Sequence, residues 1–215
     1  MEQDLSNYRK SYERNPLIKD TVPENPMELF QKWFFEADAM DSIDEANVMS
    51  VSTLGLDGYP KTRIVLLKKF TWEGFIFYTN YNSEKGRAIL ANPKVSLNLF
   101  WHGLERQVII KGHAEKIAEN LSDGYFESRP DGSKLGAWAS DQSKEIDSRK
   151  ALDDKLKEFE VKFQGQEIPR PDYWGGLIVK PISLEFWQGR PNRMHDRILY
   201  ALQEDYNWKI SRLQP

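Results

Sequence analysis

Apolar positions change their period twice along the chain. Met27, Phe30, Phe34 and Ala37 fall near a helical spacing. Asn25-Pro26-Met27-Glu28 before them is a helix-start signal: Asn caps, Pro suits the first turn, and Glu28 follows the cap by three. The pattern predicts a helix to about Met40. From Val48 the period drops to two. Val48 to Leu54 alternates apolar and small polar residues, and Asp57-Gly58 turns the chain. Thr62 to Phe70 is rich in β-branched and aliphatic residues and predicts one buried strand; Glu73-Gly74 leads to another over Phe75 to Thr79. Ser83 to Leu90 reads as a helix capped by Ser83 and ended by Asn92-Pro93. Val95 to Trp101 and Gln107 to Ile117 predict a hairpin across His102-Gly103.

A helical stretch near Glu119 to Ser128 is broken by Arg129-Pro130-Asp131-Gly132. Ser148 to Phe163 is a charged amphipathic helix stopped by Pro169 and Pro171. Leu177 to Val179, Leu184 to Trp187, Arg197 to Leu202 and Trp208 to Leu213 read as four final strands. Many short strands with few helices predict a mainly β fold with peripheral helices, of β-barrel type. No Gly-x-Gly-x-x-Gly follows a strand and no regular βαβ alternation exists, which argues against a dinucleotide-binding fold. Residues 1–24 form a polar arm, with one helical turn expected around Tyr8 and Tyr12. Residues 25–215 are expected to form a single domain.

Charge is nearly balanced, 30 Lys+Arg against 33 Asp+Glu, so neither nucleic acid nor an anionic membrane is an expected partner. The chain has no cysteine, which excludes disulfides, thiolate metal sites and cysteine nucleophiles. Its three histidines show no ligand spacing, so no metal is expected. No signal peptide or membrane-length apolar run is read, and a soluble, cytoplasmic protein is expected. Aromatics reach 13%, with seven tryptophans. Core filling accounts for that better than a platform for a flat ligand does on composition alone.

Four constellations could carry chemistry. Arg193, His195 and Arg197 are spaced i, i+2, i+4, which on a strand puts three donors on one face. Spacing alone favours a solvated edge strand there. Arg63-Ile64-Val65-Leu66-Leu67-Lys68 places cations at both ends of an apolar strand, where phosphates would suit them. Tyr78-Thr79-Asn80 leads into a helix start with Lys85 in the first turn; an anion would fit, although capping by Ser83 explains the same residues. Tyr125, Arg129 and Ser133 follow one another at intervals of four, giving a hydroxyl, a guanidinium fork and a second hydroxyl on one helix face running into a turn; the set suits a phosphate, although chance on a helical surface accounts for it better on spacing alone.

Taken together and in this order, these motifs resemble the pyridoxamine 5′-phosphate oxidase family from about Asn25 to Pro215. The resemblance is densest in Arg63 to Lys68, Phe77 to Asn80, Trp101 to Val108, Gly136-Ala137-Trp138 with Gln142-Ser143, and Trp174-Gly175-Gly176. It closes with Glu185 to Gly189, Arg193 to Arg197 and Trp208 to Leu213. It implies an FMN-binding split β-barrel and a homodimer with FMN where the subunits meet. The implied reaction oxidises pyridoxamine 5′-phosphate or pyridoxine 5′-phosphate to pyridoxal 5′-phosphate, with O2 as acceptor and H2O2 as product. It implies FMN contacts at Arg63, Ile64, Val65, Leu66, Leu67, Lys68, Tyr78, Thr79, Lys85, Gln107, Gln142, Ser143, Trp187 and Arg197. It implies substrate contacts at Lys68, Tyr125, Arg129 and Ser133, with Arg193 and His195 as catalytic residues over the pyridine ring. The arm around Arg9 and Tyr12 is expected to close over the site. One position departs from the family: a basic residue often stands beside the motif lysine, where this chain has Glu84. The rival readings are a split-barrel flavin reductase with another substrate, and a non-catalytic carrier of flavin or pyridoxal phosphate. The set Tyr125, Arg129 and Ser133 argues against the first, Arg193 with His195 against the second.

Overall fold

The computed structural model describes residues 3–8 and 10–215. The first helix, α1 (Pro26–Asp38), starts where its sequence predicts. The Asn25 side chain accepts the Met27 N–H at 2.9 Å and Pro26 fills the first turn. Its inner face buries Met27, Leu29, Phe30, Trp33 and Ala37. Strand β1 (Val48–Leu54) alternates in burial as expected.

The single buried strand predicted over Thr62 to Phe70 is instead two strands, β2 (Pro60–Leu66) and β3 (Lys69–Thr71). Nor is β2 buried: Ile64 is 66% exposed. The strand lies at one end of the sheet order. Its β-branched composition reports how well such side chains fit an extended backbone, which does not by itself decide burial.

Strand β4 (Gly74–Asn80) is almost wholly buried and runs into α2 (Glu84–Ala91). Ser83 Oγ accepts the Gly86 N–H at 3.2 Å, as its capping role predicts. Gly86 is needed for close packing, because a Cβ there would lie 2.3 Å from the Tyr81 carbonyl oxygen. β5 (Lys94–Trp101) and β6 (Arg106–Lys116) follow, linked by a short 3-10 turn at His102–Leu104.

Three helices come next: α3 (Glu119–Glu127), α4 (Asp131–Ala139) and α5 (Arg149–Lys162). α4 was not anticipated. Pro130 does end α3, but its fixed φ of -56° also suits the start of a second helix. β7 (Trp174–Gln188) is one continuous strand where two were expected. It pairs with β4 over residues 174–179 and with β8 (Asp196–Leu202) over residues 183–188. Pro181 lies between these two paired stretches, where its missing N–H costs neither ladder a bond. β9 (Trp208–Leu213) completes the set. Strand order is β2-β1-β5-β6-β7-β4-β3, with β8 on β7 and β9 on β8. Among the described residues no helical turn is found around Tyr8 and Tyr12; the arm turns at Leu5–Tyr8, where the Tyr8 N–H reaches the Leu5 carbonyl at 3.0 Å.

The chain divides into two compact units. One comprises residues 1–50, 97–111 and 181–215; the other comprises residues 51–96 and 112–180. The first has a core around Phe30, Trp33, Phe186 and Tyr200, in which the Trp33 ring meets Phe186 edge-on at 5.2 Å. The second packs Phe75, Phe77, Ile89, Phe126 and Leu177. No described helix is long and apolar enough to cross a membrane.

Candidate active site

Within the unit of residues 51–96 and 112–180, a cavity of ≈ 460 Å³ gathers most of the residues expected to hold anions. Ile64, Val65, Leu66, Lys68, Tyr78, Thr79, Lys85, Tyr125, Arg129, Ser133 and Gln142 all line it. Tyr125 comes from α3, Arg129 from the link and Ser133 from the first turn of α4. They therefore converge without sharing the single helix face that their spacing predicted. Asn80, Gly136, Ala137, Ser140 and Trp174 also line the cavity; all but Ser140 lie in motifs that carry the resemblance, but none was singled out as a site residue.

Three expected residues do not line the cavity. Leu67 is core, and Ser143 has a left-handed backbone with φ of 73°. Arg63, on β2, donates from Nη1 to Thr53 Oγ1 of β1 and to the Lys61 carbonyl, each at 2.8 Å.

The electrostatics favour an anion. Among the described residues, two buried side-chain nitrogens lack a hydrogen-bond partner: Arg63 Nη2 and Arg129 Nη1. Leaving such a donor unsatisfied costs about 1–3 kcal/mol, more when it is charged, and an anion would remove that cost. Lys85 Nζ donates to Gln142 Oε1 at 3.0 Å and to Thr79 Oγ1 at 3.1 Å. Burial first, and then the neighbouring charge of Arg63, bring its ammonium down to about 8 against the opposing pull of Glu84. Burial also lowers Arg63 and Arg129 from the usual guanidinium value. Glu84 is paired with Lys61 at 2.5 Å.

Beside these cations stands a group of nearly parallel rings. Tyr78 and Tyr125 stack with centroids 3.9 Å apart and planes at 20°, and Trp174 lies 5.5 Å from Tyr78 at 13°. The Arg129 guanidinium sits 4.6 Å over the Trp174 ring.

The remaining expected residues lie in the other unit. Arg193, His195 and Arg197 do not form one strand face. Residues Pro191–Arg193 make a 3-10 turn in which Asn192 and Arg193 have φ of 56° and 61°. The strand starts only at Asp196, so side-chain alternation cannot carry back to Arg193. Arg197 is on the strand, directly opposite Trp187. It donates to Glu185 Oε1 at 2.7 Å and to the Gln214 carbonyl at 2.9 Å. The His195 ring lies 4.6 Å from Trp187 and 6.0 Å from Tyr12. Its Nδ1 accepts the Arg190 N–H at 3.1 Å, which leaves the proton of the neutral ring on Nε2. Burial, and then the charge of Arg193, hold this imidazole below its ordinary pKa.

Tyr12 packs flat against Gly189, where a Cβ would lie 2.8 Å from the tyrosine ring. The arm is tied there by the buried carboxylate of Glu105, whose Oε2 accepts the N–H groups of Glu13 at 2.9 Å and Arg14 at 3.2 Å. Arg9 lies outside the described residues. Gln107 donates to Asn98 Oδ1 at 2.6 Å.

The family model described as pyridoxamine 5′-phosphate oxidase matches residues 35–163, and one described as the pyridoxine 5′-phosphate oxidase C-terminal dimerisation region matches residues 174–215. The chain belongs to the pyridoxamine 5′-phosphate oxidase family, and the mainly β split-barrel fold expected from its sequence holds. Among curated relatives, the pyridoxine/pyridoxamine 5′-phosphate oxidase of Flavobacterium psychrophilum is 63% identical over 99% of this chain and 100% of its own length. The protein of the same name from Christiangramia forsetii is 51% identical over the whole of both. Among solved structures, PhzG from Burkholderia lata, in complex with tetrahydrophenazine-1-carboxylic acid, has a TM-score of 0.86 at 28% identity, covering 94% of this chain and 99% of its own.

Proposed function

We propose that this chain is an oxidoreductase that converts pyridoxamine 5′-phosphate and pyridoxine 5′-phosphate to pyridoxal 5′-phosphate, using FMN and O2 and releasing H2O2. The observation that carries the reading is the buried, unpartnered Arg129 Nη1 in a cavity shared with Lys68, Tyr125 and Ser133. That donor set suits a phosphate ester, and the family supplies the rest of the substrate.

FMN, when bound, supplies the acceptor for the hydride and passes the electrons to O2. The residues fit it: Lys85 provides a cation, with the charge of Arg63 acting on it from outside the cavity lining, Thr79 and Gln142 provide hydrogen-bonding groups around Lys85, and Ile64 to Leu66 offer an apolar wall. Gln107, Trp187 and Arg197 are assigned to the same cofactor, brought to it where two copies of the chain meet as a homodimer.

Substrate anchoring at Lys68, Tyr125, Arg129 and Ser133 lies far from the reacting carbon and fixes its pose. Arg193 and His195 hold the pyridine ring. With Nδ1 already accepting from Arg190 N–H, the neutral His195 presents Nε2–H as a donor. Its work is therefore to orient the ring, rather than to take the proton that the alcohol or amine loses. The family resemblance assigns closure of the site to the arm that carries Tyr12.

Purified protein should bind FMN and turn yellow, and the flavin band should bleach anaerobically on adding pyridoxine 5′-phosphate. A protein that cannot be loaded with FMN, or a loaded one that stays oxidised with this substrate, would overturn the reading.

A further inference from the structure

Trp174 has no assigned part in the site, yet three of the assigned residues are arranged around its ring. Its strand partner across the ladder is Asn80, and Tyr78 stands opposite Gly176. A Cβ on Gly176 would lie 2.9 Å from Tyr78 Cε1, and one on Gly175 would lie 2.3 Å from the Tyr81 hydroxyl. Gly176 thus makes room for the Tyr78 ring, which lies almost parallel to Trp174 on one face of β7 and β4, while Gly175 makes room for Tyr81.

The backbone beneath the indole is pinned from both sides. Arg170 Nη1 donates to the Trp174 carbonyl at 2.7 Å while its Nε holds Asp123 of α3 at 2.6 Å. Ser122 Oγ of the same helix accepts the Gly176 N–H at 3.1 Å. The helix that carries Tyr125 is therefore fixed to the strand that carries Trp174. Arg129, two residues beyond that helix, lays its guanidinium 4.6 Å over the indole and has a buried Nη1 without an acceptor. A face-on aromatic ring holds the plane of a guanidinium while leaving its edge donors free.

We infer that Trp174 is a positioning residue for the substrate phosphate: its indole aims the edge of Arg129 into the cavity. The inference rests on the functional reading above for the identity of the phosphate ester. Trp174 acts through Arg129, and no contact of its own with the reacting carbon is involved. Cation–π support of a partly desolvated guanidinium corresponds to about a tenfold effect on affinity.

The test uses FMN-loaded protein and two probes, inorganic phosphate and pyridoxine 5′-phosphate, with binding read by calorimetry and turnover by oxygen uptake. Trp174→Leu should weaken both probes about tenfold. KM for the ester should rise by a like factor, with kcat and the FMN dissociation constant within about twofold. Trp174→Phe should restore most of the loss. In Arg129→Met the further change Trp174→Leu should add little, since the platform then has nothing to hold. Unchanged phosphate affinity in Trp174→Leu, or full additivity with Arg129→Met, would overturn the inference. Should Trp174→Leu fail to fold, a Trp174→Phe protein that weakens phosphate as much as Arg129→Met does would overturn it equally. Wild-type protein that binds inorganic phosphate but does not oxidise the ester would instead overturn the functional reading and leave the binding comparison to decide this one.

Discussion

Lys85 gives the proposed FMN site a test at the level of one side chain. Burial and Arg63 bring it down to about 8, so it is partly neutral in mildly alkaline solution. An anion beside it favours the ammonium. Binding FMN above about pH 8 must then be accompanied by proton uptake, and affinity should fall as pH rises from about 8 to about 10. Titration of FMN fluorescence at several pH values checks this. Lys85→Arg should flatten the dependence, because a guanidinium stays charged throughout that range. An equal pH slope in wild type and variant would show that another group is responsible. Glu84, which departs from the family, is accounted for at this scale as well. It is paired with Lys61 and favours the charged form of Lys85, so it does not have to touch a phosphate to matter.

Elements were legible in the sequence wherever their signals were local. Asn25 and Ser83 cap the helices they were expected to cap, and β9 spans the residues its pattern predicted. The errors came where an element depends on its neighbours. β7 was split because its apolar stretches, Leu177 to Val179 and Leu184 to Trp187, are separated in sequence, but the two halves pair with different strands and Pro181 falls between the pairings. The run from Arg193 to Arg197 was read as strand because alternation ignores backbone sign. Positive φ at Asn192 and Arg193 folds the chain before β8 begins. Gly86 offers a test at this scale. Replacing a helical glycine by alanine ordinarily stabilises by about 0.5–1 kcal/mol. Here the new Cβ would meet the Tyr81 carbonyl oxygen at 2.3 Å, so Gly86→Ala should instead destabilise by about 1–3 kcal/mol. Urea unfolding of the two proteins reads the sign directly, and a stabilised variant would mean that the strand-to-helix turn relaxes freely.

At the scale of the whole molecule, the open question is what covers the apolar residues of β1, β2 and the turn between them. Leu54, Leu56, Tyr59 and Ile64 are 44%, 67%, 75% and 66% exposed. Exposed apolar surface of this kind marks an association site, and the proposed homodimer would cover it. Sedimentation should give a species near twice the chain mass of 25.2 kDa. Ile64→Asp should shift it towards monomer and weaken FMN together, since Ile64 also lines the cavity. A wild-type protein that sediments as a monomer when loaded with FMN would count against the dimer.

By itself the sequence determined most element types, the caps, the family and most of the cavity's donors. These depend on interactions within a few residues, or on motifs that survive as strings. Tertiary structure alone decided that β2 lies exposed at the end of the sheet order and that Tyr125, Arg129 and Ser133 meet from three different segments. It alone set the backbone bend that separates Arg193 and His195 from the strand carrying Arg197, and it alone put Trp174 under Arg129. Each of these turns on which distant segments pack together. A short stretch of sequence specifies its own dihedral preferences, but not the neighbour that will bury it, bend it or take its unused hydrogen bonds.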